Sequence, residues 1–196
     1  MIINTSIFKK LIKEAYTGSG LNIKHDKDDI YIWGSYWCVK TKDRFFTKKE
    51  KAAVIELAGD IPQEGIIRVH KKEELEPLEC NIFETAISSE PKTMFYPSGI
   101  QIEEGLNQKS KLYVNGIGAI VAVTDRLANL ADESAKTEDD FDMEGPYQVE
   151  GYPWLMLWGN NTTTVAVGVR DWKDNEKLQV LKVALENLGV DVLMRV

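Results

Sequence analysis

Two stretches of this chain, residues 1 to 59 and 111 to 189, run through the same succession of patterns. In the first, Ile2-Ile3-Asn4 leads into an amphipathic stretch, a hairpin carries Trp33-Gly34 at its turn, and a second amphipathic stretch stops at Gly59. In the second, Tyr113-Val114-Asn115 leads into an apolar stretch, Trp158-Gly159 marks a hairpin turn, and the segment from Asp174 to Leu188 stops at Gly189. Internal similarity on this scale constrains architecture before any single motif does. It aligns Asn4 with Asn115, Trp33 with Trp158 and Gly59 with Gly189, at offsets of 111, 125 and 130, so the second copy carries loop insertions. The expected fold is α+β: an internally duplicated β-α-β-β-β-α unit, with antiparallel sheets and the helices packed on one face. Residues 1–60 form repeat one, 61–110 connecting extended segments, and 111–196 repeat two, within one globular unit.

Local signals fill in the first copy. Ile7, Phe8, Leu11, Ile12 and Ala15 share one helical face over residues 7–16, with Lys9, Lys10 and Lys13 turned away. Thr5 or Ser6 can cap its start, and Gly18 and Gly20 end it. Leu21 to Lys24, Ile30 to Trp33 and Tyr36 to Lys40 are short β-branched and aromatic runs, with Gly34-Ser35 as a hairpin turn. Thr47 followed by Glu50 reads as a capping box that opens a helix ending at Gly59.

The connecting region holds Pro62, Pro77, Pro91 and Pro97 among short apolar runs such as Ile66 to Val69 and Thr93 to Tyr96, which reads as extended chain and edge strands. At the start of the second copy two rules compete. Asn115-Gly116 between apolar runs is a hairpin signal; the repeat places a helix there instead, capped by Asn115 and running to about Leu130. The repeat is the longer-range constraint, and the helix is expected. Residues 132–144 carry seven acidic side chains and one lysine, which reads as a solvated, mobile loop. Strands are expected at Gln148 to Glu150, Trp154 to Trp158 and Thr163 to Val169. A last helix, capped by Asp174, places Leu178, Leu181, Leu185 and Leu188 on one stripe.

The charge is unevenly laid out. Net charge is −7, yet residues 1 to 51 hold 11 Lys or Arg against 6 Asp or Glu, a local +5, and the rest carries −12. Such asymmetry speaks to partners, suiting a basic face for an anion or head-to-tail self-association into a homo-oligomer. No stretch approaches the roughly 20 apolar residues of a membrane helix, and the N-terminus lacks the order of a secretory signal, so a cytoplasmic location with no membrane partner is expected. Cys38 and Cys80 lack metal spacing and read as structural thiols.

Catalytic groups are scarce. His25, in the turn signal His25-Asp26-Lys27-Asp28-Asp29, and His70, at a strand end, read as exposed loop histidines. No zinc spacing occurs, and Asp139-Asp140-Phe141-Asp142 lacks the glycine and alternation of a calcium loop. Gly116-Ile117-Gly118 lacks the third glycine of a dinucleotide fingerprint. No catalytic residue, metal, cofactor or small-molecule ligand is expected. Tyr31, Trp33, Tyr36, Trp37, Trp154 and Trp158 could stack bases or sugars, although core packing is the commoner use of such residues. Trp33, Trp37, Trp154 and Trp158 are the candidate aromatic interface if they are exposed.

Ile3-Asn4 and Val114-Asn115 entering helices, and the Val165 to Arg170 strand after a hairpin, resemble the building unit of DNA sliding clamps over about two thirds of the chain. The chain also resembles uncharacterised proteins of bacterial prophages and mobile elements. The clamp resemblance implies helices on a DNA-facing side, with Lys9, Lys10 and Lys13 as phosphate contacts; the alternative reading of the same lysines is that they only solvate a surface helix. The second helix departs from it, offering only Arg126, and encirclement of DNA would need self-assembly. The expectation is a non-enzymatic accessory protein binding DNA or a replication partner. Its alternatives are an interaction or assembly module without nucleic-acid binding, and a small enzyme using carboxylates such as Asp139 and Asp142.

Overall fold

The computed structural model describes residues 1–78, 81–90, 92–104, 108–170 and 176–188. Helix α1 (Thr5–Thr17) leads into strands β1 (Leu21–Asp26), β2 (Asp29–Trp33) and β3 (Trp37–Lys42), then helix α2 (Lys48–Ala58). Strands β4 (Gly65–His70) and β5 (Glu73–Leu75), helix α3 (Asn81–Ser88), strands β6 (Lys92–Glu104), β7 (Gln108–Asn115) and β8 (Ile120–Thr124), and the single turn α4 (Asp125–Ala128) follow. Strands β9 (Glu144–Val149), β10 (Tyr152–Gly159) and β11 (Thr163–Gly168) and helix α5 (Glu176–Leu188) complete the described chain. The fold is α+β, with one antiparallel sheet in the order β5-β4-β1-β2-β3-β11-β10-β9-β6-β7-β8.

Period-two alternation sorts the strand side chains onto opposite faces. Ile30, Ile32, Trp37, Val39, Met156, Trp158, Val165 and Val167 pack with Phe8, Leu11 and Ile12 of α1. Tyr31, Trp33, Cys38, Leu155, Leu157 and Ala166 point the other way, against Ala86 of α3. Each fully buried side chain of this size contributes about 1.5–3 kcal/mol of transfer free energy, so the α1 face holds the helix to the sheet. Helices thus lie on both faces, which corrects the one-face expectation: a sheet of two-sided apolar strands needs cover twice.

The sheet bends at Pro97-Ser98-Gly99 within β6. Pairing with β7 is interrupted between Pro97 and Gln101, and the Ser98 hydroxyl donates to Leu112 O at 2.9 Å across the gap. Before the bend β6 pairs with β9; after it, β6 pairs with β7 alone. The bend brings Tyr113 and Val123 of β7 and β8 into the α1 core, where Tyr113 meets Trp158 edge to face at 5.9 Å. The far side of this hairpin, Leu112, Val114, Ile120 and Ala122, packs with Leu185 of α5.

Most of the first copy forms as its sequence predicts. The cap of α1 is Asn4, whose side chain accepts from Ile7 N at 3.1 Å, in place of Thr5 or Ser6. Ile3 makes only an isolated bridge to Ala131, so the leading strand is absent. Helix α2 starts after Thr47 and ends at Gly59 with φ 85°, but Thr47 donates its hydroxyl to the Glu50 carboxylate and makes no side-chain bond to the helix backbone. The connecting region, expected from its prolines to be extended throughout, carries helix α3.

The second copy does not repeat the first. The helix expected after Asn115 is the β7–β8 hairpin: Asn115 Oδ1 accepts from Ile117 N at 3.1 Å and Ala119 N at 2.8 Å, and Gly118 takes φ 85°. Local turn chemistry prevails over the repeat, leaving only α4 as helix between residues 115 and 130. Trp33 and Trp158 are also not equivalent. Gly34 N bonds Trp37 O at 3.1 Å, and Asn160 N bonds Thr163 O at 2.9 Å, so Gly34 matches Asn160 where the repeat paired it with Gly159. A slip of one residue reverses the face of a strand residue, and the two tryptophans sit in different cores. Gly189, Asp174 and Cys80, and the side chains of Leu178, Leu181 and Leu188, lie outside the described residues.

Residues 132–144 are partly anchored, contrary to a fully solvated loop. Asp140 is buried, paired with the Met1 α-ammonium and accepting from Thr137 N at 2.8 Å and the Thr162 hydroxyl at 2.6 Å. Burial alone would raise its carboxyl; the ammonium and these donors outweigh that and hold it well below the usual carboxylate range.

Candidate nucleic-acid interface

Helix α1 buries one face, which leaves Lys9, Lys10 and Lys13 exposed on the other. At about 100° per residue, Thr5, Lys9 and Tyr16 fall on one flank of the helix, Lys10 and Glu14 on the opposite flank, and Lys13 between them. Helix α2 packs on the first flank. Its attachment is the buried Glu50 carboxylate, which accepts the Thr5 hydroxyl of α1 and the Thr47 hydroxyl at its own start. A single turn of 3-10 helix, Asp43–Phe45, precedes α2 and is tied to it by Lys51 Nζ to Asp43 at 2.6 Å.

This packing gathers cations that are distant in sequence. Arg44, Lys48 and Lys49 line a recess of about 550 Å³ together with Thr5 and Thr47, at the N-terminal end of α1. Arg44 lies over the Phe45 ring at 4.8 Å. At the other end of α1, Lys71 N donates to Tyr16 O at 3.2 Å, which sets the exposed Lys71-Lys72 turn beside the helix. Arg44, Lys48 and Lys49, then Lys9 and Lys13, then Lys71 and Lys72 therefore follow α1 along its length of about 20 Å. Lys10 borders the row. None of these eight has an ion-pair partner among the described residues, whereas Lys24, Lys40, Lys51, Lys92, Lys109, Lys111, Arg126 and Lys136 all do.

The opposite flank of α1 borders a cleft of about 810 Å³. Leu11 and Ala15 of α1, Leu127 of α4 and Val169 after β11 give it apolar walls, and Tyr36, Ser19, Ser35, Arg126 and Arg170 bring aromatic and polar groups. Arg126 pairs with Glu14, joining α4 to α1. Ser19 and Ser35 share a hydrogen bond of 2.8 Å.

The aromatic candidates divide. Trp33, Trp37 and Trp158 are each 4% exposed, so the interface expected of four tryptophans retains only Trp154, 49% exposed and edge to face with Tyr152 at 5.7 Å. Tyr36 is 71% exposed. His25 lies inside β1, paired with Ile30 and Gly65, and its Nδ1 is 2.9 Å from Pro62 O; it is not an exposed turn residue. Neither histidine lines the recess or the cleft. No helix among the described residues is long and apolar enough to cross a membrane. No protein-family model matches this chain, and no curated protein matches it.

Lys9, Lys10 and Lys13 were legible from helical periodicity. Arg44, Lys48, Lys49, Lys71 and Lys72 were not, because their assembly depends on the Thr5–Glu50 contact and on the packing of the β4–β5 turn against α1.

Proposed function

We propose that this chain is a non-enzymatic nucleic-acid-binding protein that holds phosphates along α1. The observation that carries this reading is the row of cations without ion-pair partners in a chain of net charge −7. Lys9 and Lys13, four residues apart on one helix, repel each other and cost helix stability. A polyanion relieves that repulsion and gains by releasing its condensed counterions. Encirclement of the sliding-clamp kind would need several copies; an open, phosphate-tracking face needs only one.

The test is fluorescence anisotropy with a fluorescein-labelled single strand and with a duplex of the same length. Binding is expected at about 50 mM NaCl, with log K falling linearly in log salt. Replacing Lys9, Lys10 and Lys13 together by Ala is expected to lower the slope by about 2 to 3, since each phosphate contact contributes about 0.7 to 0.9. Absence of binding to both probes at that salt removes the reading.

A further inference from the structure

The cleft beside α1 asks for a ligand of its own. Tyr36 projects from the β2–β3 turn while Trp37, the next residue, is buried in the core. Its backbone is pinned: the Tyr36 carbonyl accepts Gly168 N at 2.8 Å, and a Cβ built on Gly168 would meet the Tyr36 Cβ at 3.5 Å. The ring is thus presented from a fixed base, at low entropic cost, to a cavity within the range of about 300–1,000 Å³ that suits small ligands. Leu11, Ala15 and Leu127 offer the cavity apolar contact. Arg126 neutralises Glu14 at its border, so the route in from Lys10 is not guarded by an unpaired carboxylate.

Resting on the phosphate-binding reading above, we infer that this cleft takes an unpaired base of a single strand, stacked on Tyr36, while the backbone crosses α1 over Lys13 and Lys10. A duplex keeps its bases inside the stack and cannot offer one to the cleft; a single strand can. Exposed aromatic rings beside a cationic track are what sequence-tolerant single-strand binding requires, because every base has a face to stack. The Ser19–Ser35 pair gives the base edge hydroxyls that can donate or accept, so no particular base is demanded.

The test compares a fluorescein-labelled oligothymidylate with a duplex of equal length, on the wild-type chain and on Tyr36→Ala and Tyr36→Phe. The wild-type chain is expected to bind the single strand more tightly. Tyr36→Ala should weaken single-strand binding about 5- to 150-fold, the loss of one stacked base, and leave duplex binding unchanged. Tyr36→Phe should keep the wild-type affinity, and a loss there would place the effect on the hydroxyl and overturn the stacking. Single-strand affinity of Tyr36→Ala within twofold of wild type, or a duplex bound as tightly as the single strand, also overturns the inference. If the lysine triple variant loses binding while Tyr36→Ala does not, only this inference fails; if neither probe binds the wild-type chain, both readings fail.

Discussion

Asp140→Asn removes one charge from a chain rich in carboxylates, yet it should be among the most damaging single substitutions in residues 132–144. The Asp140 side chain is inaccessible to solvent. Its two oxygens accept from the Met1 ammonium, Thr137 N at 2.8 Å, the Thr137 hydroxyl at 3.0 Å and the Thr162 hydroxyl at 2.6 Å. Asparagine keeps one acceptor and turns the other into an NH₂ that faces donors, leaving a buried ammonium without its partner. Breaking a buried ion pair from one side costs about 3–5 kcal/mol. For a chain of this length that corresponds to a loss of about 6 to 20 °C in Tm at neutral pH, read by circular dichroism. The pH dependence follows from the depressed carboxyl. A folded-state value below the unfolded value of about 3.9 gives stability that is present above pH 4 and disappears as pH falls through the folded value. The gap between wild type and variant should therefore be full at neutral pH and narrow below about pH 4. A variant melting within about 2 °C of wild type at neutral pH would refute the reasoning, since even 1 kcal/mol would show.

Two further outcomes separate core from surface. Trp37→Ala should cost about 3–5 kcal/mol in urea unfolding, because the ring is buried and meets Phe8 edge to face at 6.1 Å, while Trp154→Ala should cost less than about 1 kcal/mol. Equal costs would contradict the assignment of these rings to core and surface. Burial, with the nearby Asp125 charge, pushes the Tyr113 phenol up to about 12. A group raised in the folded state stabilises below its unfolded value and loses that contribution as pH rises, so stability should fall between about pH 10 and 12. Burial also raises the Tyr31 and Tyr147 phenols, so absorbance titration near 295 nm should show several tyrosines ionising late, and Tyr113→Phe should remove the latest step; an unchanged latest step in the variant would refute the assignment.

Short-range chemistry was the legible part of this fold. Strands β1, β2, β3, β10 and β11 announce themselves through short runs holding β-branched and aromatic residues, set off by glycine or Asp-rich turns, and α1 through the spacing of Phe8, Leu11, Ile12 and Ala15. Helix α3 was lost because it spans eight residues, Asn81–Ser88, too few for a helical period to stand out between Pro77 and Pro91. The duplicated pattern breaks at Asn115 because local turn chemistry makes a hairpin there, and at the tryptophans because the order of elements leaves the register, and so the face, undetermined. At the site, charge on one helix could be read from spacing. Charge contributed by three elements could not, because the buried Glu50 that joins α1 to α2 reads in sequence only as a capping residue.

The basic row does not stand in neutral surroundings, and this supplies its sharpest test. Ala135 and Thr137, from the acidic run 132–144, line the same recess as Arg44, Lys48 and Lys49. Glu138 and Asp139 follow Thr137 directly and are exposed, and neither has an ion-pair partner among the described residues. At low salt they repel a phosphate entering at the Arg44 end, so a strand should be drawn in first over Lys9 and Lys13. Removing both charges as Glu138→Gln/Asp139→Asn should raise affinity for the labelled single strand. Exposed charges act with about 0.2–1 kcal/mol each, which predicts a rise of roughly 2- to 30-fold at about 50 mM NaCl. The gain should shrink at about 300 mM NaCl, where the Debye length has dropped to roughly 6 Å and exposed charges more than a residue or two away no longer act. A gain that persists unchanged at high salt would mean the variant has rearranged the recess. No gain at low salt would place the phosphate path away from α2 altogether, leaving Lys9, Lys10 and Lys13 to act with the cleft alone.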